Sequence, residues 1–213
     1  MTDPRPGRFD RRLELAATLL LAMAAVATAW AAYQSARWHG EQAKSQSASI
    51  AARVESTRAA NVANRQTQID VALFTQWVDA YARDETKLAA FYRMRFRPEF
   101  RPAFLAWDAT KPRTNPSAPL SPFAMPQYKL AATTQADSLE AQAAAASERV
   151  GHFIQRADNY SLAVVLFAAA LFFAGISTRL NSPRSRIAVL GLGYALFLGS
   201  AIWIATFPVS VSV

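Results

Sequence analysis

The sequence predicts an all-α integral membrane protein with three transmembrane helices and a long extracytoplasmic helical hairpin that carries a Pro-rich cap. The first observation is a set of three uncharged apolar runs, over residues 15–36, 159–178 and 187–207. Each run is at least as long as the ~20 residues that a helix needs to cross a bilayer. The second observation is that residues 37–158, between the first two runs, are hydrophilic and rich in helix-forming residues.

The first apolar run has two features of a cleaved signal peptide: arginines precede it, and Ala29 and Ala31 form an Ala-x-Ala pattern. Its apolar stretch is longer than the roughly 7 to 15 residues of a signal-peptide core. We therefore expect residues 15–36 to remain as a membrane anchor, preceded by a tail over residues 1–14.

The distribution of basic residues predicts the orientation. The tail over residues 1–14 carries four arginines, and the short link over residues 179–186 carries three arginines and no acid. Basic residues beside membrane spans tend to stay in the cytoplasm. We therefore expect both segments on the cytoplasmic side of a bacterial inner membrane, with residues 37–158 and the tail over residues 208–213 on the opposite side.

Composition also limits the partners and cofactors. Despite the net charge of +8 we expect no nucleic-acid partner, because seven of the 23 basic residues flank spans, where orientation explains them. The chain has no cysteine, which excludes disulfides, thiol catalysis and Cys-ligated metal. The expected partners are the lipid bilayer, further copies of the chain, and an envelope protein or anionic lipid. No cofactor is expected.

The hydrophilic insert begins with a predicted long helix that continues the first span. Residues 41–97 contain neither Gly nor Pro, and a break near residues 83–85 is compatible with the pattern. Apolar residues at helical spacing predict the inward face of this helix. They are Val62, Ile69, Leu73, Trp77 and Leu88.

The second half of the insert is predicted to be a Pro-rich segment and a returning helix. Seven of the eleven prolines fall in residues 98–126, which predicts ordered but mostly non-helical structure with one short helix over residues 102–109. Residues 127–158 then return as a helix, because small and apolar residues follow the spacing of a coiled-coil seam. The seam residues are Leu139, Ala143, Ala146, Val150, Phe153 and Ala157.

Three stretches of the chain, taken together, resemble a group of hypothetical bacterial inner-membrane proteins. They read FYRMRFRPEFRPAF over residues 91–104, NPSAPLSPFAMPQY over residues 115–128 and DNYSLAVVLFAAALFFAGIST over residues 158–178. The resemblance implies one N-terminal span, a helical insert and two C-terminal spans. It implies no activity, ligand or site residue.

The first of these stretches interleaves four arginines with aromatic residues. The arginines are Arg93, Arg95, Arg97 and Arg101. Arg side chains bind phosphate or carboxylate through paired N–H groups, and aromatic rings hold the guanidinium faces. One interpretation is therefore a contact for an anionic partner. The other is a helix end whose last turn complements the helix dipole, with the arginines paired to nearby acids and the aromatic residues in a small core.

Two further sets of residues have both a functional and a purely structural interpretation. His39 and His152, the only histidines, are expected near the outer membrane face. They form either a pH-sensing or metal-binding pair or two interfacial residues without further ligands. Gly191, Ala195 and Gly199 recur at four-residue spacing in the third span, which lets helices approach closely. This face packs either within one protomer or between protomers.

The sequence favours an interaction protein over an enzyme. It contains no nucleophile elbow, zinc-protease, phosphate-loop or dinucleotide motif, and no charged residue within a span. The leading interpretation is a non-enzymatic, self-associating interaction or scaffolding protein. The alternative is a homo-oligomeric channel or transport subunit with a neutral pore, and a third interpretation is a pH sensor that uses the two histidines.

Overall fold

The secondary structure follows the predicted order. The protein is represented by a computed structural model that describes residues 8–209, and within this range it contains helices and no strand. The helices are α1 (Arg8–Ala82), α2 (Thr86–Arg95), α3 (Arg101–Asp108), α4 (Ala131–Ser177) and α5 (Pro183–Ala205), with a 3-10 turn at Pro122–Ala124. The all-α prediction is confirmed. The outermost parts of the predicted tails, residues 1–7 and 210–213, lie outside the described residues.

Helices α1, α4 and α5 are each long and apolar enough to cross a membrane. The mean hydropathy of their most apolar stretches is 2.0, 2.1 and 2.0, and only 22%, 33% and 17% of the residues in those stretches are buried within the protein. A helix that is apolar on most sides and is not enclosed by its own chain is typical of a membrane span. The protein is therefore a membrane protein with three candidate spans.

The chain forms two compact units. The first contains the described residues up to residue 47 and from residue 147 onward, and we call it the membrane unit. The second contains residues 48–146, and we call it the hairpin unit. Helices α1 and α4 contribute residues to both units.

Small residues bring the three helices of the membrane unit together. The completely buried alanines of this unit are Ala24, Ala31, Ala157, Ala163, Ala170 and Ala174. Gly193 of α5 lies so close to its neighbours that an added Cβ would be 3.2 Å from Leu20 Cδ2 and 3.4 Å from the carbonyl oxygen of Ala170. Close approach of this kind is how helices associate in lipid, where apolar burial gives little driving force.

Two polar contacts join α5 to α1 in the membrane unit. Arg186 and Asp10 form an ion pair with an N–O distance of 3.3 Å. The Tyr194 hydroxyl donates to the carbonyl oxygen of Ala16 at 2.9 Å. The ion pair joins the first turns of the two helices, so α1 and α5 begin at the same end of this unit.

The inward face of α1 in the hairpin unit differs from the predicted one. Buried residues recur every seven positions, at Ser49, Ser56, Ala63, Asp70 and Trp77. Trp77 was correctly predicted, and Leu73 packs against the same core. The prediction was wrong for Val62 and Ile69, which are 37% and 50% exposed, and for Leu88, which lies in α2 instead and is 38% exposed. Small side chains occupy the contact because the two arms approach closely.

Two serines of α1 form hydrogen bonds to α4 across this contact. The Ser49 hydroxyl donates to the carbonyl oxygen of Ala143 at 3.0 Å, and the Ser56 hydroxyl donates to that of Ala136 at 2.9 Å. On α4 the predicted seam is confirmed. Its buried members are Ala143, Ala146, Val150 and Ala157, while Leu139 and Phe153 are half-buried. Alanines and serines thus form a narrow seam, in which serine hydroxyl groups hydrogen-bond across the contact where larger apolar side chains would not fit.

The break in the outgoing helix is confirmed at the predicted place. Helix α1 ends at Ala82, and α2 begins at Thr86 after a turn in which Asp84 has a φ of 59°. Asp tolerates this left-handed conformation better than most residues. The predicted short helix over residues 102–109 corresponds to α3, which starts one residue earlier.

The Pro-rich segment is ordered and packs on the helices, as predicted. Phe74 of α1 lies at the centre of an aromatic cluster, with its ring 5.3 Å from Trp107 and 5.7 Å from Phe123. Both contacts are edge-to-face, a favoured geometry that adds to the benefit of burial. The remaining buried aromatic residues of this core are Trp77, Phe96, Phe100 and Phe104.

Candidate interaction site

Arg97 is a structural residue of the hairpin unit. One terminal nitrogen donates to Asp70 Oδ2 at 2.9 Å, and the other pairs with Glu99. Asp70 is completely buried, and the Tyr128 hydroxyl donates to the same carboxylate oxygen at 3.1 Å. The guanidinium is therefore already engaged by two carboxylates of its own chain.

Burial dominates the electrostatics of this cluster. It raises the pKa of Asp70, while Arg97 and the Tyr128 hydrogen bond act in the opposite direction. It also raises the pKa of Tyr128, so this hydroxyl stays protonated and remains a donor. Residues 70, 97 and 128, distant in sequence, are thus joined by one polar cluster beside the aromatic core.

Arg101 closes the end of helix α2. Its Nε donates to the carbonyl oxygen of Phe96 at 2.8 Å, and a terminal nitrogen donates to that of Met94 at 2.9 Å. Carbonyl groups at a helix C-terminus lack intrahelical donors, and basic side chains often satisfy them. Arg101 and Arg97 both have the structural role that the second interpretation of the arginines expects.

Arg93 and Arg95 lie exposed in the last turn of α2. The guanidinium carbon of Arg95 is 3.5 Å from the centre of the Phe91 ring, and that of Arg93 is 5.6 Å from the centre of the Phe104 ring. Neither side chain forms an ion pair with an acid in the described part of the chain. The four predicted arginines thus divide into two structural and two surface residues, and an anionic contact at this place stays a prediction.

A groove opens in the hairpin unit between helix α1 and residues 111–120. Its volume is about 1050 Å³. Helix α1 contributes Phe74, Val78 and Tyr81, which share one face because they are four and three residues apart. We call this feature the α1 groove.

The opposite wall of the α1 groove is held in place by Trp107. Its indole N–H donates to the carbonyl oxygen of Pro119 at 2.7 Å. Lys111 and Arg113 bring positive charge to this wall. Arg113 stacks on Tyr81, with 4.9 Å between its guanidinium carbon and the ring centre, and hydrogen bonding to Tyr81 raises the pKa of Arg113. The groove therefore combines an apolar floor with a cationic edge.

Both histidines are exposed residues of the membrane unit. His39 Nδ1 lies 2.9 Å from the carbonyl oxygen of Ser35, one turn earlier in α1. No group of three or more His, Cys, Asp or Glu side chains that could hold a metal ion occurs among residues 8–209. The pH-sensing pair of His39 and His152 stays a prediction.

The small-residue face of α5 points away from its own protomer. Gly191, Ala195 and Gly199 are all exposed, and a Cβ added to either glycine would meet no atom within 4 Å. The glycine that packs against the other helices is Gly193 instead. Of the two arrangements considered from the sequence, packing within one protomer does not involve this face.

Sequence patterns did not reveal Asp70 or the α1 groove. Asp70 follows the exposed Ile69, and only its seven-residue spacing from Ala63 and Trp77 marks it as inward-facing. The groove forms between stretches about 35 residues apart, and no local motif reports such a contact.

Comparison with known proteins adds no assignment: no family model, no curated protein and no solved structure matches this chain. The geometry of its surfaces is therefore the basis for a functional proposal.

Proposed function

We propose that this protein is a non-enzymatic interaction or scaffolding protein of a bacterial inner membrane that self-associates through helix α5. The observation that carries the proposal is the outward-facing row of Gly191, Ala195 and Gly199. Within lipid, small residues at four-residue spacing let a second helix approach closely enough for extensive van der Waals contact. Because this row is not used within the protomer, a second copy is its natural partner.

Hydroxyl contacts favour this proposal over a channel with a neutral pore. Thr18, Thr28, Ser200 and Thr206 each donate to a backbone carbonyl of their own helix, at 2.7–2.9 Å. Hydroxyl groups used in this way are poorly available to line a water-filled path. Ion flux through purified protein in liposomes would favour the channel instead.

The proposed orientation has the N-terminus in the cytoplasm and residues 37–158 and the C-terminus outside. The ion pair of Arg186 with Asp10 supports it, because it joins two segments that the basic residues assign to the cytoplasmic side. The resemblance of the sequence to hypothetical bacterial inner-membrane proteins is likewise part of what we propose.

Self-association can be tested with two bulky substitutions on the row. We expect Gly191→Leu combined with Gly199→Leu to weaken association at least tenfold, because the added side chains hold the helices apart. Native mass spectrometry from lipid nanodiscs measures the copy number, and circular dichroism checks that helix content is retained. Ala168→Leu adds similar bulk to an exposed position of α4 and should leave the copy number unchanged. A wild-type protein that is monomeric in nanodiscs would refute the proposal.

A further inference from the structure

We propose that the α1 groove binds an extended segment of a partner protein that combines apolar side chains with carboxylates. The inference deepens the proposed function and rests on it, since it names the class of partner that the interaction protein would bind. It concerns the hairpin unit alone, whereas self-association involves α5 in the membrane unit.

The floor of the groove is apolar surface that the chain itself covers only in part. Val78 and Tyr81 are each 40% exposed. Val71, two turns before Val78 on the same helix face and outside the lining of the groove, is 43% exposed. On the opposite rim, the Leu120 side chain is 99% exposed. An apolar helix face and a fully exposed leucine on two sides of one groove are what apolar side chains of a bound segment would cover.

The charge of the groove selects an acidic partner. The charged residues that line it are Lys111, Arg113 and Asp108, so positive charge predominates. Neither cation forms an ion pair within the described residues. Residues 86–113, which lead into the groove, contain seven basic and two acidic residues. Carboxylates are the complementary groups on a peptide.

The backbone of Lys111 gives an independent reason to regard this edge as functional. Its φ is 53°, in the left-handed region that residues other than Gly, Asn and Asp rarely adopt. Holding a lysine in this conformation destabilises the fold, and such residues cluster at binding sites. The cost is understandable if the ammonium group is needed at the groove.

The shape of the groove favours an extended chain over the other occupants. A volume of about 1050 Å³ is at the upper limit for a small-molecule site, and the groove is open along one side. The backbone N–H groups of Arg113 and Leu120 donate to no other described residue and can hydrogen-bond the carbonyl groups of a peptide. A second copy of this chain is disfavoured, because it would bring two basic segments together.

The test measures the binding of fluorescein-labelled peptides to the full-length protein in lipid nanodiscs by fluorescence anisotropy. The probe is an eight-residue peptide of alternating Leu and Glu. One control peptide alternates Leu and Lys, and the other alternates Ser and Glu. We expect both controls to bind at least tenfold more weakly than the probe, because each lacks one of the two required properties.

Matched variants assign the binding to the groove. Lys111→Gln with Arg113→Gln should weaken binding of the probe about five- to tenfold and reduce its dependence on salt. Arg53→Gln with Arg65→Gln removes the same charge from exposed positions of α1 outside the groove and should change binding less than twofold. Equal losses in the two double variants, or none in the groove variant, would overturn the proposal.

Lys111→Gly separates binding from folding. Because Gly adopts a positive φ without strain, the melting temperature should rise by about 2–4 °C. Binding of the probe should nevertheless weaken, since the cation is lost. A more stable variant with unchanged binding would contradict a role for Lys111.

The outcome can be read separately from the test of self-association. The Gly191→Leu and Gly199→Leu variant should bind the probe with unchanged affinity. If Lys111→Gln with Arg113→Gln lowers the number of copies in the assembly and the α5 variant does not, the groove is a contact between copies and the peptide proposal is wrong. Displacement of the labelled probe by dodecanoate as strongly as by unlabelled probe peptide would indicate an anionic lipid-like ligand. That result would also overturn the peptide proposal.

Discussion

Asp70 and Arg97 form the polar pair on which the hairpin unit depends at the scale of single residues. The carboxylate is completely buried, and the guanidinium is 20% exposed. Removing one partner of a buried pair leaves the other charge without compensation, which destabilises proteins by about 3–5 kcal/mol. We therefore expect Arg97→Gln to destabilise the hairpin unit by about 3 kcal/mol at pH 7, as measured by chemical denaturation.

The pH dependence of this effect follows from the pKa of Asp70. Because burial raises the pKa of Asp70 above its ordinary value of 3.8, the folded state favours the protonated form. The resulting stabilisation is fully present below about pH 4 and is lost as the pH rises through the folded-state pKa. Arg97→Gln should therefore cost less at pH 4 than at pH 7. Asp70→Asn should abolish this difference, and an Arg97→Gln effect that is independent of pH would argue against the pair.

The role of individual arginines could be predicted from the sequence only in part. The interleaved arginines and aromatic residues were visible, and the structural interpretation holds for Arg97 and Arg101. Which arginine is structural depends on Asp70, 27 positions before Arg97, and on where α2 ends. Neither fact is contained in the local pattern.

Helix pairing, at the scale of elements, is governed by small side chains. Ala143 is completely buried in the seam of the hairpin unit, and its carbonyl oxygen accepts from Ser49. We expect Ala143→Leu to destabilise the hairpin unit by about 1–3 kcal/mol, because extra bulk in a packed seam forces the helices apart. Ala144→Leu, at an exposed position one residue later, should change stability by less than about 0.5 kcal/mol. Equal costs at both positions would contradict the seam.

The sequence predicted the helices well and one helix face poorly. Helix breaks depend on local signals, namely the prolines after Pro98 and the charged residues near Asp84, and both were visible. The face of α1 was misassigned because the branched residues Val62 and Ile69 have a strong hydrophobic signal, whereas the contact requires small residues. Ser49 and Ser56 pack there because their hydroxyls are satisfied by carbonyl groups of α4.

The whole molecule is defined by the separation of apolar and charged residues along the chain. Three stretches without charge are mostly exposed on the outside of the membrane unit, which is stable only if lipid surrounds them. The hairpin unit carries the charged residues and the aromatic core. Membrane residence could be predicted from the sequence because it depends on composition alone, whereas the α1 groove required the tertiary contacts of the hairpin unit.

The most direct test of the membrane account is labelling of single cysteines with a membrane-impermeant maleimide, since the chain has no cysteine of its own. Ala144→Cys and Asn181→Cys are introduced separately at exposed positions. In intact spheroplasts we expect Ala144→Cys to be labelled and Asn181→Cys to be labelled only after permeabilisation. Labelling of both positions from outside, or of Asn181→Cys alone, would contradict three spans in the proposed orientation.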